Sequence, residues 1–255
     1  MKEYLRDLAL PALEQEGLVL MKDVFDRDDM ISLNDVASEL SPFVGNIKDK
    51  GWHNSEDVKK VAETQDTRTE TEWLYHWART PEDNSIINEK VLPVLTEITD
   101  TVFNGNDWNW QNTNKYIMSN YKHDLDVQPH LDAPYLWPQM LDCQMAQYLK
   151  PGVLSLTFMI PLVDFTPENG ATAYVPGTHR YIWDTANWNE AKPHTSRFFR
   201  NNYIQPSVTV GSLACFYGNC MHSVMANKTD EVRRGIIYRA IRQDALDEME
   251  RLGLG

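Results

Sequence analysis

The sequence predicts a β-rich barrel with a layer of helices packed outside it, and three observations carry that expectation. Apolar residues at helical spacing are concentrated before residue 107. From Asp107 to about residue 242 the texture changes to short runs of β-branched and aromatic residues. Gly, Pro and Asn turn signals separate those runs. Helices first, then many antiparallel strands, give a mainly β fold with flanking helices: a jelly-roll or other barrel with a helical layer. The expected organisation is a single domain over 1–255, with a helical N-terminal part (1–106), a core (about 107–242) and a short C-terminal tail (243–255).

Each element follows from local pattern. Residues 3–16 read as a helix with Leu5, Leu8, Ala9, Ala12 and Leu13 on one face, and Pro11 inside it marks a break or kink. Gly17 ends it, and Leu18 to Met21 is a short apolar strand. Asp26 is placed to cap a second helix over 27–40, with Met30, Leu33, Ala37 and Leu40 inward. Residues 43–72 are polar and read as a long loop, either a flap over a site or a solvated excursion. A helix covers 85–103, interrupted by Pro93. Trp108, Trp110, Tyr116, Ile117 and Tyr121 are strand formers, and strands are expected at Leu154 to Ile160, Ala171 to Val175, Leu213 to Tyr217, and Val232 to Arg242. Pro167-Glu168-Asn169-Gly170 and Pro176-Gly177-Thr178 are turns, 183–204 is loop-like, and 244–252 is a short acidic helix.

Composition limits what the protein does. Hydrophobic residues are 42% and charged residues 24% of 255, ordinary globular usage. A formal net charge of −13 argues against nucleic acid as a partner, because phosphate binding needs clustered Lys and Arg. No apolar run reaches the length of a membrane span, and the N-terminus lacks a signal peptide's apolar stretch, so no membrane partner and a cytoplasmic location are expected. Cys143, Cys215 and Cys220 form no CxxC motif and are expected as free thiols.

The chemistry centres on His130-Leu131-Asp132. Two residues apart on an extended chain, the imidazole and the carboxylate leave the same face. Two histidines and one carboxylate with three open positions form the facial triad of non-haem Fe(II) oxygenases. His222 supplies the third ligand, in a strand-like run after a Gly-containing bend, with His179 and His194 as competitors in turn and loop contexts. Beyond the turn at Asn227 to Asp230, Arg233 is expected on the strand beside His222, and Arg234 on the opposite face. An internal guanidinium needs an anion, and a dicarboxylate that chelates metal at one end and meets arginine at the other fits both. 2-Oxoglutarate is such a co-substrate.

At this point the residues resemble a known family, the phytanoyl-CoA dioxygenase-like (PhyH) branch of the Fe(II)/2-oxoglutarate-dependent oxygenases. Glu16 to Phe25 is similar to the family's N-terminal strand and its lead into a helix, and Pro129-His130-Leu131-Asp132 to the proximal motif. Thr166-Pro167-Glu168-Asn169-Gly170-Ala171-Thr172 and Val175-Pro176-Gly177-Thr178-His179-Arg180 resemble the central signature. His222 through Asn227 to Arg233 resembles the distal motif, with the arginine eleven residues after the histidine.

The resemblance implies a double-stranded β-helix (jelly-roll, cupin-like) core, and an oxygenase that uses Fe(II), 2-oxoglutarate and O2. It implies His130, Asp132 and His222 on the metal and Arg233 on the co-substrate, with Tyr121 and Thr157 as further co-substrate contacts. Val224 stands where some relatives have a serine, and Met159 where some have a tryptophan. Asp132 is intact, which disfavours a halogenase. The expected reaction hydroxylates a small molecule while 2-oxoglutarate goes to succinate and CO2. A prolyl-type hydroxylase of peptidyl or free amino acids stays open, as Tyr121 also resembles a position in those relatives. A metal-binding cupin-like protein or a 2-oxoglutarate sensor is the reading from another class. Tyr135 and Trp137 either line the substrate pocket or pack at the barrel rim; Arg180, Arg197 and Arg200 either meet an anionic substrate or are solvated. The loops 43–84 and 181–204 are the expected substrate selectors.

Overall fold

Two antiparallel sheets face one another, and helices cover the outer face of the larger one. The protein is seen in a computed structural model, in which residues 5–40, 75–122, 129–132, 153–180 and 197–251 are described. The expected long loop at 43–72 falls outside them, as do Tyr135, Trp137, Cys143 and His194.

The N-terminal helix resolves its proline as a change of helix type. A π turn (Leu5–Ala9) runs into α1 (Leu10–Glu16), with Pro11 in the first turn of α1. The second proline repeats the device: a π segment (Ile87–Val91) runs into α3 (Leu92–Phe103), with Pro93 in its first turn. Proline lacks the N–H for the α bond and crowds the carbonyl four residues back, and a wider preceding turn relieves both. Gly17, at φ 73°, closes α1 in the left-handed conformation, its N–H bonding the Leu13 carbonyl at 2.8 Å. Between these helices β1 (Leu18–Met21) leads to α2 (Arg27–Glu39). The Asp26 carboxylate caps α2 as predicted, accepting from the N–H groups of Asp28 (2.9 Å) and Asp29 (3.1 Å).

The strands are β2 (Tyr75–Arg79), β3 (Trp108–Asn120), β4 (Ser155–Pro161), β5 (Thr172–Tyr174), β6 (Leu213–Tyr217), β7 (His222–Val224) and β8 (Arg233–Arg242). A short helix α4 (197–202) precedes β6, and α5 (Gln243–Arg251) follows β8. The larger sheet has the order β1-β6-β4-β8-β3-β2, and its neighbours are antiparallel. The smaller pairs β5 with β7, and single bridges extend it from Tyr174 to Ile204 and from His222 to His130. Two segments expected as loops contain regular structure among their described residues: 43–84 contains β2, and 181–204 contains α4. Both edge strands of the larger sheet come from before residue 107.

Period-two alternation divides the larger sheet into two faces. Leu156, Phe158, Ile160, Leu213, Cys215, Tyr217, Ile236 and Tyr238 look outward and pack on Leu13, Met30, Leu33, Leu95 and Ile98 from the helices. Each fully buried Leu or Ile there stabilises the fold by about 1.5–3 kcal/mol relative to exposure. The opposite face, carrying Met118, Met159, Ala214 and Ile237, packs on Phe165, Val208 and Val224 inside the barrel. Being buried on both faces is why β4 reads as a continuous apolar run.

The route from β7 to β8 corrects one expectation. His222 and Arg233 are not on paired strands: β7 pairs with β5, whereas β8 pairs with β3 and β4. The turn between them carries the chain from one sheet to the other. Buried Asn227 organises it, donating to the carbonyls of Asn120 (2.9 Å) and Glu231 (2.7 Å) and accepting from the Thr229 N–H (3.0 Å) and hydroxyl (2.8 Å). His222 and Arg233 therefore approach the interior from facing sheets.

Candidate metal centre

Backbone pairing brings the two histidines together. His130 and His222 exchange N–H to carbonyl bonds at 2.9 and 3.1 Å, and the Asp132 N–H donates to the Gly218 carbonyl at 2.6 Å. An extended segment of four described residues is thereby laid along β7, and His130 and Asp132 both reach the site. One ligand atom from each of His130, Asp132 and His222 lies within 4.8 Å of the others, a group able to hold a metal ion. The two imidazole centroids are 4.3 Å apart. His222 Nε2 is 3.7 Å from Asp132 Oδ2; adjacent donors on a metal with bonds of about 2.1 Å stand about 3 Å apart. A small contraction closes the set, so the donors fit a divalent transition metal with a free face.

Surrounding groups fix each donor. His222 Nδ1 lies 2.9 Å from the Cys220 carbonyl. A neutral imidazole donates from Nδ1 there and leaves Nε2 for the metal. Burial holds the His222 pKa below the usual value, against the upward pull of Asp132 and the Cys220 carbonyl. Phe216 packs 4.7 Å from the His222 ring and Tyr174 6.3 Å from it. Asp132 is also buried. Burial alone would raise its pKa, but Arg239, both histidines and the Thr157 hydroxyl hold it down to about 2, so the ligand is a carboxylate at every ordinary pH. Burial pushes the nearby Tyr116 phenol up to about 12, with Arg239 and Asp132 acting on it in opposite directions.

The structure places the other sequence-selected residues as follows. Arg233 is 1% exposed and its guanidinium lies 4.5 Å above the Phe165 ring, inside the barrel. Arg234 turns to the helical face, 3.4 Å from Asn34 Oδ1. The Thr157 hydroxyl donates to Asp132 Oδ2 at 2.6 Å, so it is engaged with the carboxylate ligand. Tyr121 is half-buried, one residue beyond Asn120, which pairs with Arg233. Arg180 is exposed beside Gly177, and Arg197 and Arg200 are exposed on α4. His179 packs on Tyr217, its Nε2 3.0 Å from the Glu14 carbonyl, and belongs to the outer face rather than the centre.

One residue of the centre escapes sequence reasoning. Arg239, 5% exposed, forms an ion pair through Nη2 with Asp132 Oδ1. It stands six positions after Arg233 on β8, so strand alternation aims both into the barrel. That shared parity, in a strand otherwise apolar on its inner face, was the available signal.

A double-stranded β-helix whose mouth gathers two imidazoles and a carboxylate is the architecture of the Fe(II)/2-oxoglutarate oxygenases. The chain belongs to the phytanoyl-CoA dioxygenase (PhyH) family, which matches residues 13–235. Among curated relatives, the dioxygenase trt7 of Aspergillus terreus (strain NIH 2624 / FGSC A1156) is 34% identical over 83 residues, 32% of this chain and 26% of that protein's length. The dioxygenase cdmD of Talaromyces verruculosus is 21% identical over 234 residues, 88% of this chain and 70% of its own. Of solved structures, HygX from Streptomyces hygroscopicus with nickel and 2-oxoglutarate bound has a TM-score of 0.63 at 14% identity, covering 92% of this chain and 86% of that one. The epimerase SnoN in complex with Fe3+, alpha ketoglutarate and nogalamycin RO has a TM-score of 0.58 at 14% identity, covering 95% and 85%. Among the described residues, no helix is long and apolar enough to cross a membrane.

Proposed function

We propose that this chain is an Fe(II)/2-oxoglutarate-dependent dioxygenase that hydroxylates a small molecule. The observation that carries the reading is the convergence of one ligand atom each from His130, Asp132 and His222 to within 4.8 Å. Membership of the dioxygenase family supports it, as do the small molecules held by solved neighbours, nogalamycin RO in SnoN and hygromycin B in HygX. The three residues hold the iron, and His222 stays neutral through its bond to the Cys220 carbonyl. Arg233 takes the far carboxylate of 2-oxoglutarate, a match of planar fork to carboxylate in a site with little competing water. Iron and 2-oxoglutarate, once bound, would let O2 act as the oxidant: one of its atoms would leave in succinate as 2-oxoglutarate loses CO2, and the other would go to the substrate C–H bond as a hydroxyl.

The protein's own contribution is orientation and dryness. Phe216, Tyr174, Met159 and Val224 give the interior apolar walls. Thr157 and Tyr121 complete the co-substrate's surroundings in this proposal, and Tyr135, Trp137 and Arg180 are the residues assigned to substrate. We take residues 1–255 as one oxygenase domain, because the larger sheet draws its edge strands from the N-terminal part. The free thiols of buried Cys215 and Cys220 support a cytoplasmic setting.

The test is spectroscopic and precedes any knowledge of substrate. Anaerobic addition of Fe(II) and 2-oxoglutarate should give the visible metal-to-ligand charge-transfer band, and Asp132→Ala or His222→Ala should abolish it. Wild-type protein that binds Fe(II) yet shows no band with 2-oxoglutarate would refute the proposal. A screen of small molecules by succinate release then identifies the substrate class.

A further inference from the structure

We infer that Arg239 is a positioning residue that holds Asp132 to one-oxygen ligation and so keeps a coordination position open for 2-oxoglutarate. The inference rests on the functional reading above and deepens it. A carboxylate can bind a divalent metal through one oxygen or both. If both oxygens bound, the protein would occupy four positions, leaving two for a chelating co-substrate and O2 together, one too few. Something must therefore keep the second oxygen away from the metal.

The hydrogen bonds around Asp132 separate its two oxygens by role. Oδ1 is taken by Arg239 Nη2. Oδ2 is the atom 3.7 Å from His222 Nε2. Oδ2 also accepts from the Thr157 hydroxyl at 2.6 Å. That hydroxyl's single proton is directed there because Thr157 Oγ1 itself accepts from Arg239 Nε at 3.2 Å. The third arm of the guanidinium is tied as well, with Nη1 donating to Gln111 Oε1 at 3.2 Å. Arginine, threonine and aspartate thus form a closed ring of donors and acceptors, and Gln111 fixes the plane of the fork. Oδ2 is thus the oxygen toward His222, while Oδ1 is held by the fork.

Attraction to the metal cannot be the purpose of Arg239. A cation in contact with a metal ligand repels the metal and makes the carboxylate a poorer donor. Simple electrostatics therefore predicts that removing it leaves metal affinity unharmed or improved. Positioning predicts a different split: metal retained, co-substrate lost. Only a fork supplies all three bonds; a lysine in the same place keeps the charge but meets one oxygen with a single ammonium.

The experiment uses Co(II) in place of iron, with full-length Arg239→Met and Arg239→Lys. Co(II) affinity, the visible Co(II) spectrum and the Kd for 2-oxoglutarate are measured on each. We expect both variants to bind Co(II) within about tenfold of wild type or more tightly. Their 2-oxoglutarate Kd should rise about ten- to a hundredfold, and the Co(II) spectrum should change before co-substrate is added. Arg239→Met leaves Asp132 buried without its cation; if it fails to fold, Arg239→Lys, which keeps the charge pair, decides alone. A folded variant with wild-type 2-oxoglutarate affinity and an unchanged Co(II) spectrum would overturn the assignment. Wild-type protein that takes Co(II) but no 2-oxoglutarate would instead overturn the functional reading and this inference together.

Discussion

Adjacent arginines on β8 have opposite fates, and strand alternation is the cause. Arg233 is buried over Phe165, whereas Arg234 reaches Asn34 on α2. Arg233→Ala should therefore weaken 2-oxoglutarate binding by about 2–4 kcal/mol, about 30- to 1000-fold in Kd, while Arg234→Ala stays within a few-fold. Isothermal titration of the metal-loaded protein reads both; equal losses would mean that neither contacts the co-substrate directly. Gly235, between Arg233 and Ile237 on the same face, makes the platform possible. A Cβ there would stand 2.7 Å from Phe165 Cζ and 3.2 Å from the Ile160 carbonyl. Phe165 is 2% exposed and has little room to move. Gly235→Ala should cost about 1–3 kcal/mol of stability by overpacking, read as a lower melting temperature, and should loosen 2-oxoglutarate binding because the ring under Arg233 is displaced. An alanine variant that melts and binds like wild type would mean the ring yields freely.

Elements that bury one clear face were legible in the sequence, and those that do not were hidden. α2 declares itself by its cap and by Met30, Leu33 and Ala37, and its bounds are found within one residue of those expected. Asp26→Ala should remove about 1 kcal/mol and lower the melting temperature with no change in 2-oxoglutarate affinity, since α2 lies on the outer face of the sheet. β4 was legible from its nearly continuous apolar run, and β8 as the long strand returning from the turn at Asn227 to Asp230. β2 was not: Tyr75 to Arg79 is five residues that, among the described residues, pair with β3 alone, too short for alternation to register. α4 was hidden by the many aromatic and charged residues around it. The grouping of His130, Asp132 and His222 was legible because spacing and motif mark them, but the place of Arg239 beside Asp132 was not, because it carries no motif and its contacts exist only once β4 and β8 pair Thr157 with it. The sheet assignment of β7 was also beyond local pattern, as three residues following a turn can join either sheet.

At the scale of the whole molecule, the centre adds ligand-mediated links between parts already joined by apolar packing and by the contacts of Asp132 with Arg239 and Thr157. His130 and Asp132 lie on the segment alongside β7, His222 on the smaller sheet, and Arg233 on the larger. A metal alone ties the 129–132 segment to β7. 2-Oxoglutarate, bound to that metal and to Arg233 as proposed, would add a further tie between the smaller sheet and the larger. The two ligands should therefore stabilise the fold in order rather than independently. At a hundred times its Kd, a ligand adds about 2.7 kcal/mol, a rise of about 5–10 °C in melting temperature for a chain of this size. Differential scanning with Co(II) should show the first increment, and 2-oxoglutarate should add a second only when metal is present. Arg233→Ala should keep the first increment and lose most of the second, whereas Asp132→Ala should lose both. A co-substrate increment of the same size without metal would show that the diacid binds through arginine alone, and the coupling between the two sheets would not run through the metal.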